Sequence, residues 1–212
     1  MTTDDHPAVQ EAATVKKASP EQRAAVARTL ARAFEDDPIL TWMLHTSPGR
    51  QRILQRFFDL GLRTLWLPQD ECYTTERVAG AAVWELPGQW KTGIGTRLRL
   101  LPAMTSILGR HLPRAMRSLT VMESHHPTEP HYYLPLIGVD PDWQGQGIGS
   151  ALLRPMLDRC DAEAMPAYLE ASSERNRALY QRNGFVGTGE ITLGKDAPPM
   201  WPMWREPVHA EG

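Results

Sequence analysis

LPLIGVDPDWQGQGIGSALL, residues Leu134 to Leu153, joins an apolar run, a turn and the start of a helical pattern. The run Leu134–Val139 is too short for an ordinary helix and ends at Asp140-Pro141, so it reads as a buried strand. Beyond Gln144-Gly145-Gln146-Gly147-Ile148-Gly149, apolar residues recur at helical spacing: Ile148, Leu152, Met156, Cys160. The stretch is therefore strand, glycine-rich turn and helix N-terminus. A helix start leaves backbone N–H groups without partners and carries partial positive charge, which makes it an anion site. Glycines let an anion approach that backbone closely.

The spacing narrows the anion. A dinucleotide fingerprint, G-x-G-x-x-G, counted from Gly145 and Gly147 needs a glycine where Ser150 stands. A nucleotide phosphate loop needs Gly-Lys-Ser/Thr at the helix start, and no lysine is there. The pattern that fits is Gln/Arg-x-x-Gly-x-Gly/Ala, met by Gln144, Gly147 and Gly149. Here the chain resembles the Gcn5-related N-acetyltransferases (GNAT), in which this loop holds the pyrophosphate of acetyl-coenzyme A.

The resemblance implies an α/β GNAT acyl-CoA N-acyltransferase fold: a mixed, strongly twisted sheet of about six or seven strands with helices on both faces. It implies acetyl-CoA as acetyl-donor co-substrate. In the family the strand before the loop bulges and splays, and its main chain pairs with the pantetheine arm. Pro135 cannot donate to a sheet ladder and marks an edge or a bulge, and Gly138 lies close by. The implied cofactor-binding set is Ile137, Gly138, Val139, Gln144, Gly145, Gln146, Gly147, Ile148, Gly149, Ser150 and Asn176. Asn176 and Tyr180 lie four apart in SSERNRALYQRNGF and share one helix face. The resemblance implies that Asn176 bonds the cofactor arm and that Tyr180 protonates the leaving thiolate.

The family does not define the general base. Glu170 is the favoured catalytic candidate, because it lies in a strand expected to be buried on both faces, where burial raises a carboxyl pKa. A carboxylate held by backbone donors or an arginine is the competing reading, and Glu123 and Glu129 are alternatives. His125, His126 and His131 invite a metal reading, but no carboxylate or cysteine completes a ligand spacing, so no metal is expected. Gly-x-Ser-x-Gly is absent, which removes the usual serine hydrolase motif.

Around this centre the chain reads as one domain. Residues 1–12 are expected as a mobile tail, 13–207 as a single N-acetyltransferase domain and 208–212 as a second tail. Within the domain, 13–130 form the substrate side and 131–207 the acetyl-CoA-binding core. Thr14–Ala18 reads as a first strand. Ser19-Pro20-Glu21-Gln22 is a capped helix start, followed by the apolar face Val26, Leu30, Ala33, Phe34, and Asp36-Asp37-Pro38 stops that helix. Ser47-Pro48 opens another. Residues 90–124 are expected as two or three short helices burying Leu98, Leu101, Met104, Ile107, Leu108, Leu112, Met116, Leu119 and Met122. Pro155 is expected to bend the helix after the loop.

Twenty-three basic residues against 25 acidic argue against a general nucleic-acid or membrane-surface binder. Cys72 and Cys160 make no metal-type pair and read as free thiols. No apolar run spans a membrane and no secretory leader is evident, so a cytoplasmic monomer or homodimer is expected. The function expected is acetyl transfer from acetyl-CoA to a primary amine of a small molecule. The feature order resembles the branch containing the puromycin N-acetyltransferases. The alternatives are a protein or peptide N-acetyltransferase and a catalytically silent acyl-CoA-binding sensor.

Overall fold

The computed structural model describes residues 11–12, 14–44 and 49–208. The helix start expected at Ser47-Pro48, and residues 1–10 and 209–212 of the expected tails, lie outside them. Of the rest of the N-terminal tail, Glu11 is buried and accepts from the Arg77 N–H at 3.1 Å.

The strands are β1 (Lys16–Lys17), β2 (Cys72–Thr74), β3 (Gly80–Glu85), β4 (Tyr132–Val139), β5 (Ala167–Ala171), β6 (Val186–Gly187), β7 (Ile191–Thr192) and β8 (Pro199–Arg205). They form a mixed sheet of order β1-β2-β3-β4-β5-β8-β6, with β7 paired to β8. Eight strands exceed the expected number because the segment after Gly184 breaks into two two-residue strands. Among the described residues only β4 and β5 pair in parallel, and they are joined through a helix, the usual crossover for parallel neighbours.

The helices are α1 (Arg23–Ala33), α2 (Pro38–Leu44), α3 (Arg50–Gly61), α4 (Ile94–Leu108), α5 (Leu112–His125), α6 (Ile148–Ala162) and α7 (Glu174–Arg182). Strand alternation sorts the core into two layers. Ala82, Trp84, Tyr132, Leu134, Leu169 and Ala171 pack against Ile148, Leu152 and Met156 of α6. Ala81 and Val83 face the other way, onto Val26 and Leu30 of α1 and Leu54 and Phe58 of α3. The expected helices on both faces are thus present. The expected capping box is present, with the Ser19 N–H donating to Gln22 Oε1 at 3.0 Å. Helix α6 runs unbroken through Pro155.

The segment 90–124 forms two helices, α4 and α5, joined by a 3₁₀ turn at Gly109–His111. Ile107 and Leu108 are buried as expected. Leu98, Leu101, Met116 and Leu119 are not: they are 64%, 42%, 36% and 39% exposed. Each helix turns only one narrow stripe inward, and basic residues share its remaining surface.

The sheet opens in its middle. Strand β4 pairs with β5 only at Tyr132↔Ala167 and Tyr133↔Tyr168, and the two then part. On its other side the β3–β4 register shifts between Val83 and Glu85, which places Leu134 and Pro135 opposite Trp84 alone. The proline therefore occupies the bulge, where its missing N–H costs no ladder bond.

Candidate functional site at the opening of the sheet

The gap between β4 and β5, the glycine loop and α7 enclose a cleft of about 570 Å³. It is lined by Ile137, Gly138, Val139, Gln144, Gly145, Gly147, Ile148, Gly149, Ser150, Asn176 and Tyr180. Two expected site residues are elsewhere. Gln146 turns its side chain back to the Asp142 carbonyl at 3.2 Å, and Glu170 is buried beside the gap, not on the cleft wall.

The loop is built for close approach. Gly145 and Gly147 have φ of 77° and 85°, in the left-handed region that glycine tolerates, and a Cβ on either would enter open space. Gly147 is the N-cap of α6, and the first intrahelical bond is Ala151 N–H to Gly147 O at 3.1 Å. The amides of Ile148, Gly149 and Ser150 precede it and are the orphan donors of this helix start. Ser150 Oγ accepts from Asn183 Nδ2 at 3.1 Å. Arg175 and Arg182 bring positive charge to the wall, which the sequence did not reveal, whereas Arg32 is paired with Asp140 and Asp142.

The β4 main chain offers a second set of partners. Asp140 N–H bonds the Ala79 carbonyl on the β3 side, whereas the Val139 carbonyl accepts from Gln144 Nε2 at 2.9 Å. By strand alternation, Ile137 and Val139 turn their polar groups to the gap and Gly138 turns its own toward β3. Gly138 serves differently: a Cβ there would sit 2.8 Å from Ala33 Cβ, so its absence lets α1 close on the strand.

Helix α7 starts at Ser173, whose side chain accepts from the Asn176 N–H at 3.2 Å. Ser172 faces another way, donating from Oγ to Asp37 and accepting from Asn176 Nδ2 at 3.2 Å. Asp37 lines the cleft and caps α2 through its bond from the Leu40 N–H at 2.9 Å. Burial raises its carboxyl pKa, and its charge combines with burial to push the Tyr180 hydroxyl well up. In the sequence Asp37 reads only as a helix stop. Tyr180 is 6% exposed, with its ring edge-on to Phe185 at 6.0 Å.

Glu170 occupies the sheet face opposite α6, where β5 leaves β4. Its Oε2 accepts from the Tyr133 hydroxyl at 2.9 Å, and burial raises its pKa to about 7. The buried Glu85, across β3–β4 from Tyr133, is also pushed up to about 7, by burial first and by the Glu170 charge. Glu123 is tied to Arg97, and the Glu129 carbonyl accepts from His131 Nδ1 at 2.6 Å. Among the described residues no group of three or more His, Cys, Asp or Glu is placed to hold a metal ion. Cys72 and Cys160 are free and buried, and burial pushes both thiols to about 12. No helix of the described residues is long and apolar enough to cross a membrane.

A bulged strand splayed from its parallel neighbour, with a glycine turn and helix start at the opening, is the GNAT acyltransferase arrangement. Residues 116–187 match the family description "Acetyltransferase (GNAT) domain". The chain is 29% identical to an uncharacterised N-acetyltransferase of Schizosaccharomyces pombe, over 85% of this chain and 78% of that one. A Corynebacterium glutamicum structure described as histone acetyltransferase HPA2 and related acetyltransferase superposes with a TM-score of 0.73 at 26% identity, covering 94% of this chain and 98% of that one. A Drosophila melanogaster polyamine N-acetyltransferase, at 13% identity, shares the fold with a TM-score of 0.60 over 91% of this chain and 99% of that one. Residues 116–187 match a GNAT acetyltransferase domain, the fold is the GNAT fold, and the chain is an acetyltransferase.

Proposed function

We propose that the protein transfers acetyl from acetyl-CoA to the primary amine of a small molecule. The observation that carries this reading is the convergence on one cleft of the α6 amides, the gap-facing backbone of β4, Asn176 and Tyr180. The residues suit the co-substrate: two glycines at positive φ with open space above them cradle a pyrophosphate, and Ile137 and Val139 supply strand-like partners to its arm. When bound, acetyl-CoA supplies an activated acetyl thioester. Tyr180 holds the proton destined for the sulfur, and Glu170 takes the proton of the acceptor ammonium.

A feature order resembling the puromycin N-acetyltransferase branch supports a small acceptor. So does the fold shared with a polyamine N-acetyltransferase, and Glu170, at 3% side-chain exposure, is deeply buried. The protein belongs on this reading in the cytoplasm, as a monomer or homodimer, without nucleic-acid or membrane partners. The test is release of free thiol from acetyl-CoA across a panel of small amines, histone-type peptides and no acceptor. Turnover with small amines is expected. Turnover with peptides alone, or binding without turnover, replaces this reading with a protein acetyltransferase or a silent binder respectively.

A further inference from the structure

The buried cluster beside the gap contains polar atoms that lack a close hydrogen-bond partner. Glu170 Oε1, Glu85 Oε2 and the Tyr168 hydroxyl are buried and have no hydrogen-bond partner. Such orphans are uncommon in a folded protein and call for an occupant. They lie on one face of three neighbouring strands: Glu85 pairs across with Tyr133, Tyr133 pairs with Tyr168, and Glu170 is two residues beyond Tyr168.

The histidines beside them show what kind of occupant is missing. His131 Nδ1 lies 2.6 Å from the Glu129 carbonyl, which can only accept, so this nitrogen carries the hydrogen. Burial keeps the His131 ring neutral, so its Nε2 is a bare lone pair. His126 Nε2 lies 2.9 Å from that lone pair and must donate to it. His126 is also neutral, since burial first, then His131 and Lys91, hold its pKa down to about 3. Its Nδ1 is therefore a second bare lone pair, and it faces Glu170 Oε1 at 3.9 Å. With Glu170 ionised, two acceptors at that separation do not bond each other. Both can bond one nitrogen bearing several hydrogens, each at about 2.8–3.0 Å.

We propose that Glu170 Oε1 and His126 Nδ1 form a seat for two N–H donors of a primary alkylammonium, with Glu85 as its second negative charge, so that His126 and Glu85 determine specificity for a compact cationic amine. This deepens the proposed function and rests on it. The surroundings suit a desolvated cation: the rings of Tyr133 and Tyr168 stand edge-on to His126 at 4.7 and 4.9 Å, and Trp90 stacks on it at 3.6 Å. Trp90 belongs to residues 86–93, which have no regular secondary structure. The nearby cation, Lys91, stands over the Trp90 ring at 4.8 Å. Protons balance: the ammonium gives one to Glu170 and becomes the nucleophile. As the C–N bond forms and the C–S bond breaks, the nitrogen loses a second proton, which restores the one Tyr180 gives to sulfur. The proton on Glu170 returns to solvent.

The test begins with the wild-type full chain, saturated with coenzyme A so that no turnover occurs. Calorimetry compares primary alkylamines of increasing length with alcohols of the same length. An amine preference of at least tenfold at pH 7 is expected, with the ¹⁵N resonance of His126 Nδ1 moving on amine addition and not on alcohol addition. In turnover, Glu85→Gln and His126→Phe, each confirmed folded by thermal melting, should raise the amine KM tenfold or more and leave the acetyl-CoA KM unchanged. Equal binding of amines and alcohols, or a still His126 resonance, overturns the seat without reference to any variant. Turnover of small amines with no amine preference leaves the proposed function standing and removes the seat. Charge-selective binding with no turnover of any amine leaves the seat standing and removes the function.

Discussion

Asn176 and Asp37 are joined through a single hydroxyl. Ser172 Oγ accepts from Asn176 Nδ2 at 3.2 Å and donates to Asp37, so the strand-end serine links the cofactor half of the cleft to the turn between α1 and α2. The direction of these bonds orients the Asn176 amide: its nitrogen is committed to Ser172, and its oxygen is left to accept from an amide N–H of a bound arm. Ser172→Ala should therefore raise the KM for acetyl-CoA by roughly threefold to tenfold, the range of one ordinary hydrogen bond. Asp37→Ala should in addition lower stability by about 1 kcal/mol, since it removes the cap of α2. Steady-state kinetics and thermal melting separate the two effects; an unchanged acetyl-CoA KM in folded Ser172→Ala refutes the orienting role.

The glycine loop can be tested against a glycine of the same conformation elsewhere. Gly147 has φ of 85° and Gly88 φ of 76°, and neither would bring a Cβ within 4 Å of another atom. A side chain at either position strains the backbone by about 1–3 kcal/mol. Gly147→Val should therefore lose both stability and coenzyme A binding, while Gly88→Val loses stability alone. Calorimetry on both variants decides the matter, and retained affinity in Gly147→Val removes the loop from the binding site.

The pH dependence of stability has two opposing sources around the buried cluster. Glu85 and Glu170 are raised from 4.5 to about 7, so between those values the folded state binds more protons and stability falls as pH rises. His126 is lowered from 6.5 to about 3, and His131 is lowered too, so below 6.5 the unfolded state binds more protons and stability rises with pH. Tyr133 and Tyr168 are pushed higher still and do not titrate in this window. The opposing slopes offset each other in the wild type between pH 5 and 6.5. Glu85→Gln with Glu170→Gln removes the falling part, and the melting temperature of the double variant should climb steadily with pH across that interval. A flat or falling profile contradicts the assignment of raised pKa values to this pair.

Much of the local geometry of the loop and of α7 was legible because its signals are local. A glycine at positive φ, a serine cap and a four-residue spacing on one helix are written in neighbouring residues, and Gly147, Ser173, Asn176 and Tyr180 occupy the places their spacing implies. The bulge was legible from Pro135 for the same reason. The substrate side was not, because its contacts join distant parts of the chain. Glu85 meets Tyr133 through sheet register, His126 reaches Glu170 across 44 positions, and Asp37 meets Ser172 across 135. Nor did apolarity alone reveal burial in α4 and α5: Leu98 and Leu119 look like core residues in sequence and are exposed because no element covers them among the described residues.

Tyr180 carries the sharpest prediction. Its ring is 6% exposed and packs edge-on against Phe185, while the residue lines the cleft on the helix face that carries Asn176. An ordinary tyrosine, near pKa 10, is nearly matched to a leaving thiol, so transfer between them is almost balanced. Burial and the Asp37 charge push this hydroxyl well above that value. Tyr180 therefore stays protonated throughout the working range, and in the proposed role it gives up its proton only as negative charge gathers on the sulfur. Two consequences follow from that shift. The kcat profile should show no alkaline limb from Tyr180 below about pH 10. Tyr180→Phe keeps the ring and removes only the donor, so kcat should fall about 10²-fold or more, about 2.7 kcal/mol of transition-state stabilisation. Coenzyme A affinity and melting temperature should stay close to wild type. A fall of less than about threefold in a single-turnover measurement, where product release does not contribute, would falsify the acid role.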